Sequence, residues 1–362
     1  MNNSKFLHSY KNLKVLVTGS TGFKGSWLCL WLNLCGAKVV GVGLKPESEQ
    51  ILFNAFELKK KIKQHFLDIS NFNKINYVIK KEKPDIIFHL AAQSIVSLSY
   101  TNPLKTIETN VLGSANLLES VRINKVKNLV YITSDKCYLN REILGSYNET
   151  DLLGGYDNYS SSKACAELLF TSYHKSFFNK KKLQYATTRA GNVIGGGDFK
   201  KDRIVPDTIK SLMNNKNLIV RSPSSTRPWQ HVLEPLSGYL NLGDKLLNKK
   251  LSSNILPSWN FGPNTKNCKT VLEIVKRIYV QWGADPKKIV IKRSNNFKEA
   301  KLLVLNINKS KKELKWKPRL SLNETIELTV NWYKNYFANK KMSKITIEQI
   351  ENFKNISRFK IN

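Results

Sequence analysis

The stretch 14–25, KVLVTGSTGFKG, decides the fold class of this 362-residue chain. Its first residues, KVLVT, predict a short buried strand, and glycines follow at positions 19, 22 and 25. The next stretch, SWLCLWLNL, has helical length and ends before Gly36, and AKVVGVGL predicts a second strand. A strand, a glycine-rich turn, a helix and a strand within about 30 residues predict a Rossmann-type, doubly wound parallel sheet of the α/β class.

The same alternation of strand and helix patterns continues along the chain as far as QYATTRAGNV, whereas the region 195–230 is richer in loop-forming residues. Near the C-terminus, SLNETIELTVNWYKNYF predicts an amphipathic helix with Ser321 as N-cap and Glu324 three residues later. We expect a Rossmann domain, a smaller and discontinuous C-terminal substrate-binding domain, and a tail. Their expected bounds are 11–193 with returns at about 231–263 and 321–337 for the first, 194–230 and 264–320 for the second, and 338–362 for the tail.

Composition excludes several classes of protein. The chain has 59 Lys+Arg against 27 Asp+Glu, a net charge of +32, but the lysines are spread over almost every segment, so we expect no specific nucleic-acid partner. The five cysteines show no CxxC and no pairing with histidine, so neither disulfides nor a metal site are expected. The N-terminus lacks a signal-peptide core, and the apolar stretch 27–44 is interrupted by Asn33, Lys38 and glycines. We therefore expect a cytoplasmic protein without a membrane segment.

The glycine-rich turn is a candidate dinucleotide site. The spacing GxxGxxG, over Gly19, Gly22 and Gly25, lets backbone N–H groups approach a diphosphate at a helix N-terminus. The acidic residue that would bind the ribose of NAD is missing after VVGVGL, and Lys45 stands there instead, either to meet the extra phosphate of NADP or as a surface lysine. Asp68 either holds the adenine ring or caps the following helix.

A second group of residues predicts proton transfer. Tyr159 and Lys163 form a YxxxK pair on one helix face, where an ammonium favours the phenolate. Ser134 ends the predicted strand VYITS and offers a hydroxyl to share a proton with a substrate. Asp135 and Lys136 follow directly, and from the residues alone this carboxyl and amine form an ordinary exposed ion pair as one interpretation.

With these residues the chain resembles the extended short-chain dehydrogenase/reductase superfamily and its NAD-dependent epimerase/dehydratase family. Within that family it is most similar to the CDP-glucose 4,6-dehydratases, over TGFKGSWL, HLAAQ, SDKCYLNRE, GGYDNYSSSKACAEL, RAGNVIGGGD, DRIVPD and RPWQHVLEPLSGY, with a weaker match at ITIEQIENF. The segment SIVSLSY lacks an expected basic residue, and Ser134 and Asn158 replace the more usual Thr and Pro. Ser134 still offers the same hydrogen bond as a threonine.

The resemblance implies NAD as cofactor and a nucleotide sugar, CDP-glucose, as substrate. It implies catalytic roles for Ser134, Asp135, Lys136, Tyr159 and Lys163. It places the cofactor against Gly19, Thr21, Gly22, Phe23, Lys24, Gly25, Asp68, Ile69, Leu90, Ala91, Ala92, Asn110, Tyr159 and Lys163. Candidates for holding the substrate are Asn192, Arg203 and Arg227, with His231 either orienting Arg227 or filling a strand edge.

The implied reaction is an internal oxidation and reduction. Tyr159, held as phenolate by Lys163, would take the proton from the sugar hydroxyl at carbon 4 while hydride passes to NAD. Lys136 would then remove the carbon 5 proton and Asp135 would protonate the departing carbon 6 hydroxyl, before hydride returns to carbon 6. These roles require a neutral Lys136 and a protonated Asp135, so both groups must be perturbed by the site and titrate as a unit.

Two alternatives remain open from the sequence. One is another enzyme on the same fold, an epimerase or a 4,6-dehydratase of a different nucleotide sugar, because no residue is shown by sequence alone to read cytosine. The other is a non-catalytic Rossmann protein that binds a nucleotide or RNA. By family, the chain is expected to form a homodimer or homotetramer through the helices beginning near Asn110 and Ser160, and to supply deoxysugars for cell-surface glycans such as lipopolysaccharide O-antigen.

Overall fold

The computed structural model describes residues 6–47, 51–141, 145–178, 184–252, 256–264, 268–292 and 303–356. Its strands are β1 (Lys14–Thr18), β2 (Lys38–Gly43), β3 (Lys63–Phe66), β4 (Ile86–His89), β5 (Leu129–Ile132), β6 (Tyr185–Ala190), β7 (Val193–Ile194), β8 (Leu218–Val220), β9 (Thr226–Pro228), β10 (Gln230–His231), β11 (Ser258–Phe261), β12 (Cys268–Thr270) and β13 (Ile289–Ile291). Its α-helices are α1 (Phe23–Leu34), α2 (Leu52–Ala55), α3 (Leu58–Lys61), α4 (Phe72–Glu82), α5 (Val96–Thr101), α6 (Pro103–Ile107), α7 (Gly113–Ile123), α8 (Asn158–Tyr173), α9 (Ile204–Met213), α10 (Leu233–Leu247), α11 (Val271–Trp282), α12 (Asn308–Leu314), α13 (Leu322–Phe337) and α14 (Met342–Asn355).

Seven parallel strands form the main sheet in the order β3-β2-β1-β4-β5-β6-β11. The strand order reverses between β1 and β4, which are paired from Val15 against Ile86 to Thr18 against His89. In open α/β sheets, ligands bind in the crevice at the carboxyl ends of strands at such a reversal. The predicted doubly wound parallel sheet is confirmed, and its crevice opens beside the glycine-rich turn.

Helix α1 is enclosed by the core rather than lying on its surface. Six consecutive residues, Trp27 to Leu32, are at most 1% exposed, because the helix packs between the sheet and the C-terminal helices. The Trp31 ring meets Phe353 of α14 edge-on at 5.9 Å between centroids. The segment expected as a tail after residue 337 therefore contributes a helix to the same core, with Met342 and Ile350 also buried.

A smaller layer lies beyond the carboxyl ends of the main sheet. Here β8 pairs with β13 in parallel and β9 pairs with β12 antiparallel. Helices α9 and α11 pack on this layer around Leu218, Val220, Val275 and Tyr279. The region 195–230, expected to be rich in loops, includes the ten-residue helix α9, whose apolar face covers β8.

The helix ends follow the local capping chemistry. Ser321 and Glu324 form the predicted capping box at the start of α13, with the Glu324 amide 3.3 Å from the Ser321 hydroxyl. The helix expected from Ser160 begins earlier, because the Asp157 side chain accepts the Ser160 amide at 2.8 Å. It continues as a π-helical turn at 174–178. Within the described ranges, no helix combines the length and apolar character that crossing a membrane requires.

Candidate active site

The turn between β1 and α1 has no room for a side chain at Gly19 or Gly25. Gly19 has φ of +72°, and a Cβ there would lie 2.8 Å from the Ala91 nitrogen. A Cβ on Gly25 would lie 1.9 Å from the Gly19 oxygen, so the turn packs directly on the first turn of α1. Gly22 is the N-cap of α1 and has no side chain to bond its first amides. Those amides and the helix dipole form a cradle that suits a diphosphate.

The ends of β1 and β4 are joined at the back of this cradle. The Thr18 hydroxyl accepts the amides of Leu90 and Ala91, both at 3.1 Å, and lies 2.7 Å from Nδ1 of His89. Burial lowers the pKa of His89 to about 3, so the imidazole is neutral. This contact fixes the spacing of the two chain segments on either side of the crevice.

A cavity of about 220 Å³ follows the crevice. It is lined by all the residues expected at the cofactor except Asn110: Gly19, Thr21, Gly22, Phe23, Lys24, Gly25, Asp68, Ile69, Leu90, Ala91, Ala92, Tyr159 and Lys163. Gly43 and Leu44 also line it, whereas Lys45 is exposed and is not in its wall. We call this space the crevice cavity.

Asp68 lies in the wall of the crevice cavity and does not cap α4. Asn71 is the N-cap of that helix, accepting the Lys74 amide at 3.0 Å, while Asp68 accepts the Ser70 amide at 2.9 Å and pairs with Lys105 at 2.9 Å. Burial raises the pKa of Asp68, but the bonds from Ser70 and Lys105 outweigh it and bring the pKa below its usual value. Its carboxylate is therefore ionised and fixed in orientation.

Asn110 lies behind the crevice cavity rather than in its wall. Its side chain is 1% exposed, accepts the Gln93 amide at 2.8 Å and donates to the Ser162 hydroxyl at 2.9 Å. Through these two bonds the Asn110 side chain connects the π-helical turn at 108–112 to α8 and to the loop after β4. The expected cofactor contact is thus replaced by a positioning role for the helix that carries Tyr159.

Tyr159 and Lys163 are placed on the same face of α8, and the Lys163 Nζ is 6.0 Å from the centre of the Tyr159 ring. Burial raises the pKa of Tyr159 to about 12, although a hydrogen bond with Ser134 works in the opposite direction. Burial and the nearby Lys24 lower the pKa of Lys163 to about 8. The sequence predicted a phenolate favoured by the ammonium, but desolvation of the phenol is the larger effect.

Ser134, Asp135 and Lys136 follow the end of β5 at a 3₁₀ turn. The Ser134 hydroxyl is 3.0 Å from Asp135 Oδ1. Asp135 is 4% exposed, and burial raises its pKa despite the opposing charges of Lys136, Arg227 and Lys24. The Asp135 carboxyl group packs against Gly191. A Cβ added to Gly191 would lie 2.8 Å from Oδ2 of Asp135. Asp135 is therefore a buried group whose pKa is shifted upward, unlike a carboxylate in an exposed surface ion pair.

A second cavity of about 370 Å³ continues from the first, and we call it the substrate cavity. Ser134, Asp135, Lys136 and Tyr159 line it together with Asn192, Arg203 and Arg227. The two cavities share a wall formed by Phe23, Lys24, Ser94, Thr133, Tyr159 and Arg203. A group bound in one cavity thus faces a group bound in the other across Tyr159.

The two arginines of the substrate cavity have different surroundings. Arg203 pairs with Asp198 at 2.6 Å and donates to the Ser94 hydroxyl at 2.8 Å. Arg227 is 5% exposed and donates to the Thr226 carbonyl oxygen at 3.0 Å. Each presents a cation to the cavity, a property suited to a diphosphate.

His231 lies outside both cavities. Its ring is fully buried in β10, packs edge-on against Trp27 at 5.8 Å, and receives the Leu233 amide at 3.4 Å. Burial lowers its pKa to about 3. Of the two roles considered from sequence, the structure assigns the one at the strand edge, because the ring is enclosed by the core rather than by the cavity.

Comparison with known proteins gives the family. Residues 16–329 match the family model described as GDP-mannose 4,6 dehydratase. The chain is 44% identical over 339 residues to a CDP-glucose 4,6-dehydratase of Salmonella typhimurium, covering 92% of this chain and 94% of that protein. This chain belongs to the GDP-mannose 4,6-dehydratase family. A dTDP-D-glucose 4,6-dehydratase of Dictyostelium discoideum is 28% identical over 391 residues, covering 94% of this chain and 86% of that protein.

Solved structures support the same fold for this family member. A UDP-glucose 4-epimerase from Thermotoga maritima superposes with a TM-score of 0.79 at 22% identity, over 90% of this chain and 100% of that one. A dTDP-glucose 4,6-dehydratase from Bacillus anthracis, solved in complex with NAD, gives 0.75 at 23% identity, over 91% and 99%.

Several residues of the family member's substrate cavity were not predicted from its sequence. They lie where α9 and β8 meet and include Asp207, Ile219, Val220 and Arg221. The sequence signals for this part of the cavity were the apolar run LIV, which directly precedes Arg221, and the amphipathic run IVPDTIKSLM. Neither reveals that the two segments converge, because that contact depends on the pairing of β8 with the distant β13.

Proposed function

We propose that this chain is a CDP-glucose 4,6-dehydratase, which converts CDP-D-glucose to CDP-4-keto-6-deoxy-D-glucose and water with NAD as cofactor. The observation that carries the proposal is that Asp135 and Lys136 line the same cavity as Tyr159 and Ser134. Oxidation at carbon 4 needs a hydroxyl and a phenol, whereas loss of water needs an additional acid and base. The 44% identity to the Salmonella typhimurium enzyme supports CDP-glucose in particular.

The fit of NAD rests on the cradle at the start of α1. Gly19 and Gly25 leave no space for side chains, and its first amides have no side-chain cap at Gly22. The bound NAD of the Bacillus anthracis dTDP-glucose 4,6-dehydratase supports the same cofactor here. When bound, NAD supplies the redox step by taking hydride from carbon 4 of the sugar and returning it to carbon 6. Lys45 is exposed and outside the crevice cavity, which favours NAD over NADP.

The residues that line the two cavities have different parts in the proton transfers. Tyr159 takes the proton of the carbon 4 hydroxyl, with Ser134 hydrogen-bonded to it and Lys163 beneath it. The resulting ketone acidifies the carbon 5 proton, which Lys136 removes. Asp135, buried and inclined to hold a proton, donates that proton to the carbon 6 hydroxyl, which leaves as water. Lys136 then returns a proton to carbon 5, and the proton that Tyr159 took from the carbon 4 hydroxyl replaces the one that Asp135 gave up, so the balance is one water lost from each sugar.

The test is incubation of purified protein and NAD with CDP-glucose and, separately, with dTDP-, GDP- and UDP-sugars. A 4-keto-6-deoxy sugar is followed by its absorbance in alkali, and loss of one water is measured by mass spectrometry. We expect product from CDP-glucose. An epimer without loss of water would contradict the roles of Asp135 and Lys136, and no reaction with any sugar would favour a non-catalytic nucleotide-binding protein.

We also propose that two copies of the chain associate through α6, α7 and α8. These helices pack together with the π-helical turn at 108–112, and the assembly leaves apolar side chains facing solvent, including Leu104 at 79%, Leu112 at 50% and Leu168 at 56% exposed. Exposed leucines gathered on helices that pack together suit burial against a partner. A second copy meeting the same helices would form a twofold interface, so the expected assembly is a homodimer, or a homotetramer built from it.

The expected place of the enzyme is the cytoplasm, where nucleotide sugars are made. All five cysteines, at 29, 35, 137, 165 and 268, are free thiols, which suits a reducing compartment. Its product, a 4-keto-6-deoxy sugar, would supply deoxysugars for cell-surface glycans such as lipopolysaccharide O-antigen.

A further inference from the structure

The substrate cavity has an end that the proposed chemistry does not use. This end lies where the first turn of α9 faces β8, and its wall is mostly apolar. The apolar residues are Ile204, Val205, Ile219, Val220 and Val271. Two charged residues, Asp207 and Arg221, interrupt them. An apolar pocket with few polar groups is typical of a site that orients a flat ring.

Asp207 is distinguished from the other carboxylates of the cavity wall by its lack of a partner. Asp198 pairs with Arg203 at 2.6 Å, and Asp202 pairs with Arg221 at 3.0 Å and accepts the Ser97 hydroxyl at 2.9 Å. Among the described residues, no side chain or amide hydrogen-bonds or ion-pairs with the Asp207 carboxylate, which is half-buried. A half-buried carboxylate without a partner is costly unless a ligand supplies one.

The protonation state of Asp207 suits an acceptor at neutral pH. Burial raises its pKa to about 6, with a further rise from Asp202, while Arg221 and Lys210 oppose the rise. Above pH 6 the group is therefore mostly ionised. An ionised carboxylate accepts hydrogen bonds and donates none.

The position of Asp207 along the cavity matches the order of groups in a nucleotide sugar. The sugar belongs beside Tyr159 and Asp135, and the diphosphate belongs beside Arg203 and Arg227. Asp207 lies four residues after Arg203 on α9, a rise of about 6 Å along the helix axis. The part of the substrate beyond the diphosphate, its nucleoside, thus reaches the end of the cavity where Asp207 stands.

We propose that the Asp207 carboxylate accepts a hydrogen bond from the exocyclic amine of the substrate's base and so selects cytosine over uracil and thymine. The proposal rests on the proposed function for the location of sugar and diphosphate. Cytosine presents an amine donor at position 4, whereas uracil and thymine present a carbonyl oxygen there, which a carboxylate repels. An unpaired carboxylate at this position therefore favours the binding of cytosine and disfavours the binding of uracil and thymine.

The test uses binding of CDP and UDP to the full-length protein by calorimetry at pH 7.5, so that it does not depend on turnover. We expect the wild type to bind CDP at least about tenfold more tightly than UDP. Asp207→Asn, whose amide offers both a donor and an acceptor, should bring the two dissociation constants to within about threefold of each other. The ratio of kcat/KM for CDP-glucose and UDP-glucose should fall in the same way.

The matched control is Glu273→Gln, which removes the same charge from a carboxylate outside the cavity that is already paired with Arg277. It should change the affinities for CDP and UDP by a common factor and leave their ratio intact. Equal binding of CDP and UDP by the wild type, or an unchanged ratio in Asp207→Asn, would overturn the proposal. A wild type that prefers CDP but makes no keto sugar from CDP-glucose would contradict the proposed function and leave this assignment standing.

Discussion

At the scale of single residues, burial controls the candidate chemistry. It raises the pKa of both Asp135 and Tyr159 and lowers that of Lys163 to about 8. Each group is thereby shifted toward its neutral form, which suits Asp135 as an acid, whereas Tyr159 must lose its own proton before it can take one from the sugar. Because these groups are already removed from water by the fold, proton transfer to or from them does not require the prior loss of bound water.

The variant Lys136→Ala tests directly whether Lys136 is the base that removes the carbon 5 proton. If Lys136 is the base at carbon 5, the variant should lose about 10² to 10⁴-fold in kcat, and exchange of the carbon 5 hydrogen with deuterated solvent should disappear. Exchange is followed by mass spectrometry of the recovered sugar. Lys201→Ala, which removes an exposed lysine next to Asp202, serves as the control and should leave kcat within about twofold. Unchanged exchange in Lys136→Ala would reject the assignment.

Residue types and spacing predicted the turn at 18–25 and the group Ser134, Asp135, Tyr159 and Lys163, because these depend on local geometry. They did not predict which polar side chains already have hydrogen-bond partners within the fold or are enclosed by its core. Asn110 is used by Gln93 and Ser162, and His231 is enclosed against Trp27. Pairing of this kind is decided by tertiary contacts between distant segments, which the sequence pattern does not encode.

At the scale of elements, α8 is held on the sheet by a buried ion pair. Arg189 of β6 and Glu167 of α8 are 2.8 Å apart, with side chains 4% and 1% exposed. Glu167 also accepts hydrogen bonds from Thr133 and Thr187. Since Thr133 precedes Ser134, this network aligns the helix that carries Tyr159 with the turn that carries the acid and base.

Glu167→Gln should therefore lower the free energy of unfolding by about 3–5 kcal/mol, because it leaves the Arg189 charge buried without its counter-ion. The measurement is chemical denaturation followed by circular dichroism. Glu351→Gln makes the same change in an exposed pair with Lys354 on α14 and should cost less than about 1 kcal/mol. Equal losses for the two variants would show that the buried pair has no special part in stability.

The elements themselves were predicted unevenly. The first strand, turn and helix, and the capped α13, follow from periodicity and capping residues that act within a few positions. Helix α9 was not predicted, since the loop-forming residues around it dominate the pattern of 195–230. Its stability depends on covering β8, a contact that only the folded layer provides.

At the scale of the whole molecule, the net charge of +32 and the apolar face of α6, α7 and α8 act in opposite directions. Like charges favour separate copies in dilute salt, whereas burial of Leu104, Leu112 and Leu168 favours association. Because apolar burial is insensitive to screening and charge repulsion is weakened by salt, association should tighten as ionic strength rises.

The assembly is tested with the double variant Leu104→Glu and Leu168→Glu. We expect the wild type to have the mass of two chains by light scattering after size-exclusion chromatography, and the variant to have the mass of one. Val280→Glu introduces one acidic group at an apolar residue that is 70% exposed on α11, outside this face, and should keep the larger mass. A wild type that is monomeric across salt concentrations would dismiss the interface.

The packing of Phe353 against Trp31 has a consequence for how the chain is made. Helix α1, which borders the cofactor crevice, precedes α14 by most of the sheet, and the seventh strand, β11, also lies between them. Trp31 therefore gains its Phe353 contact only after α14 has been synthesised, so the part of the α1 surface that α14 covers stays unburied while the intervening segments are made.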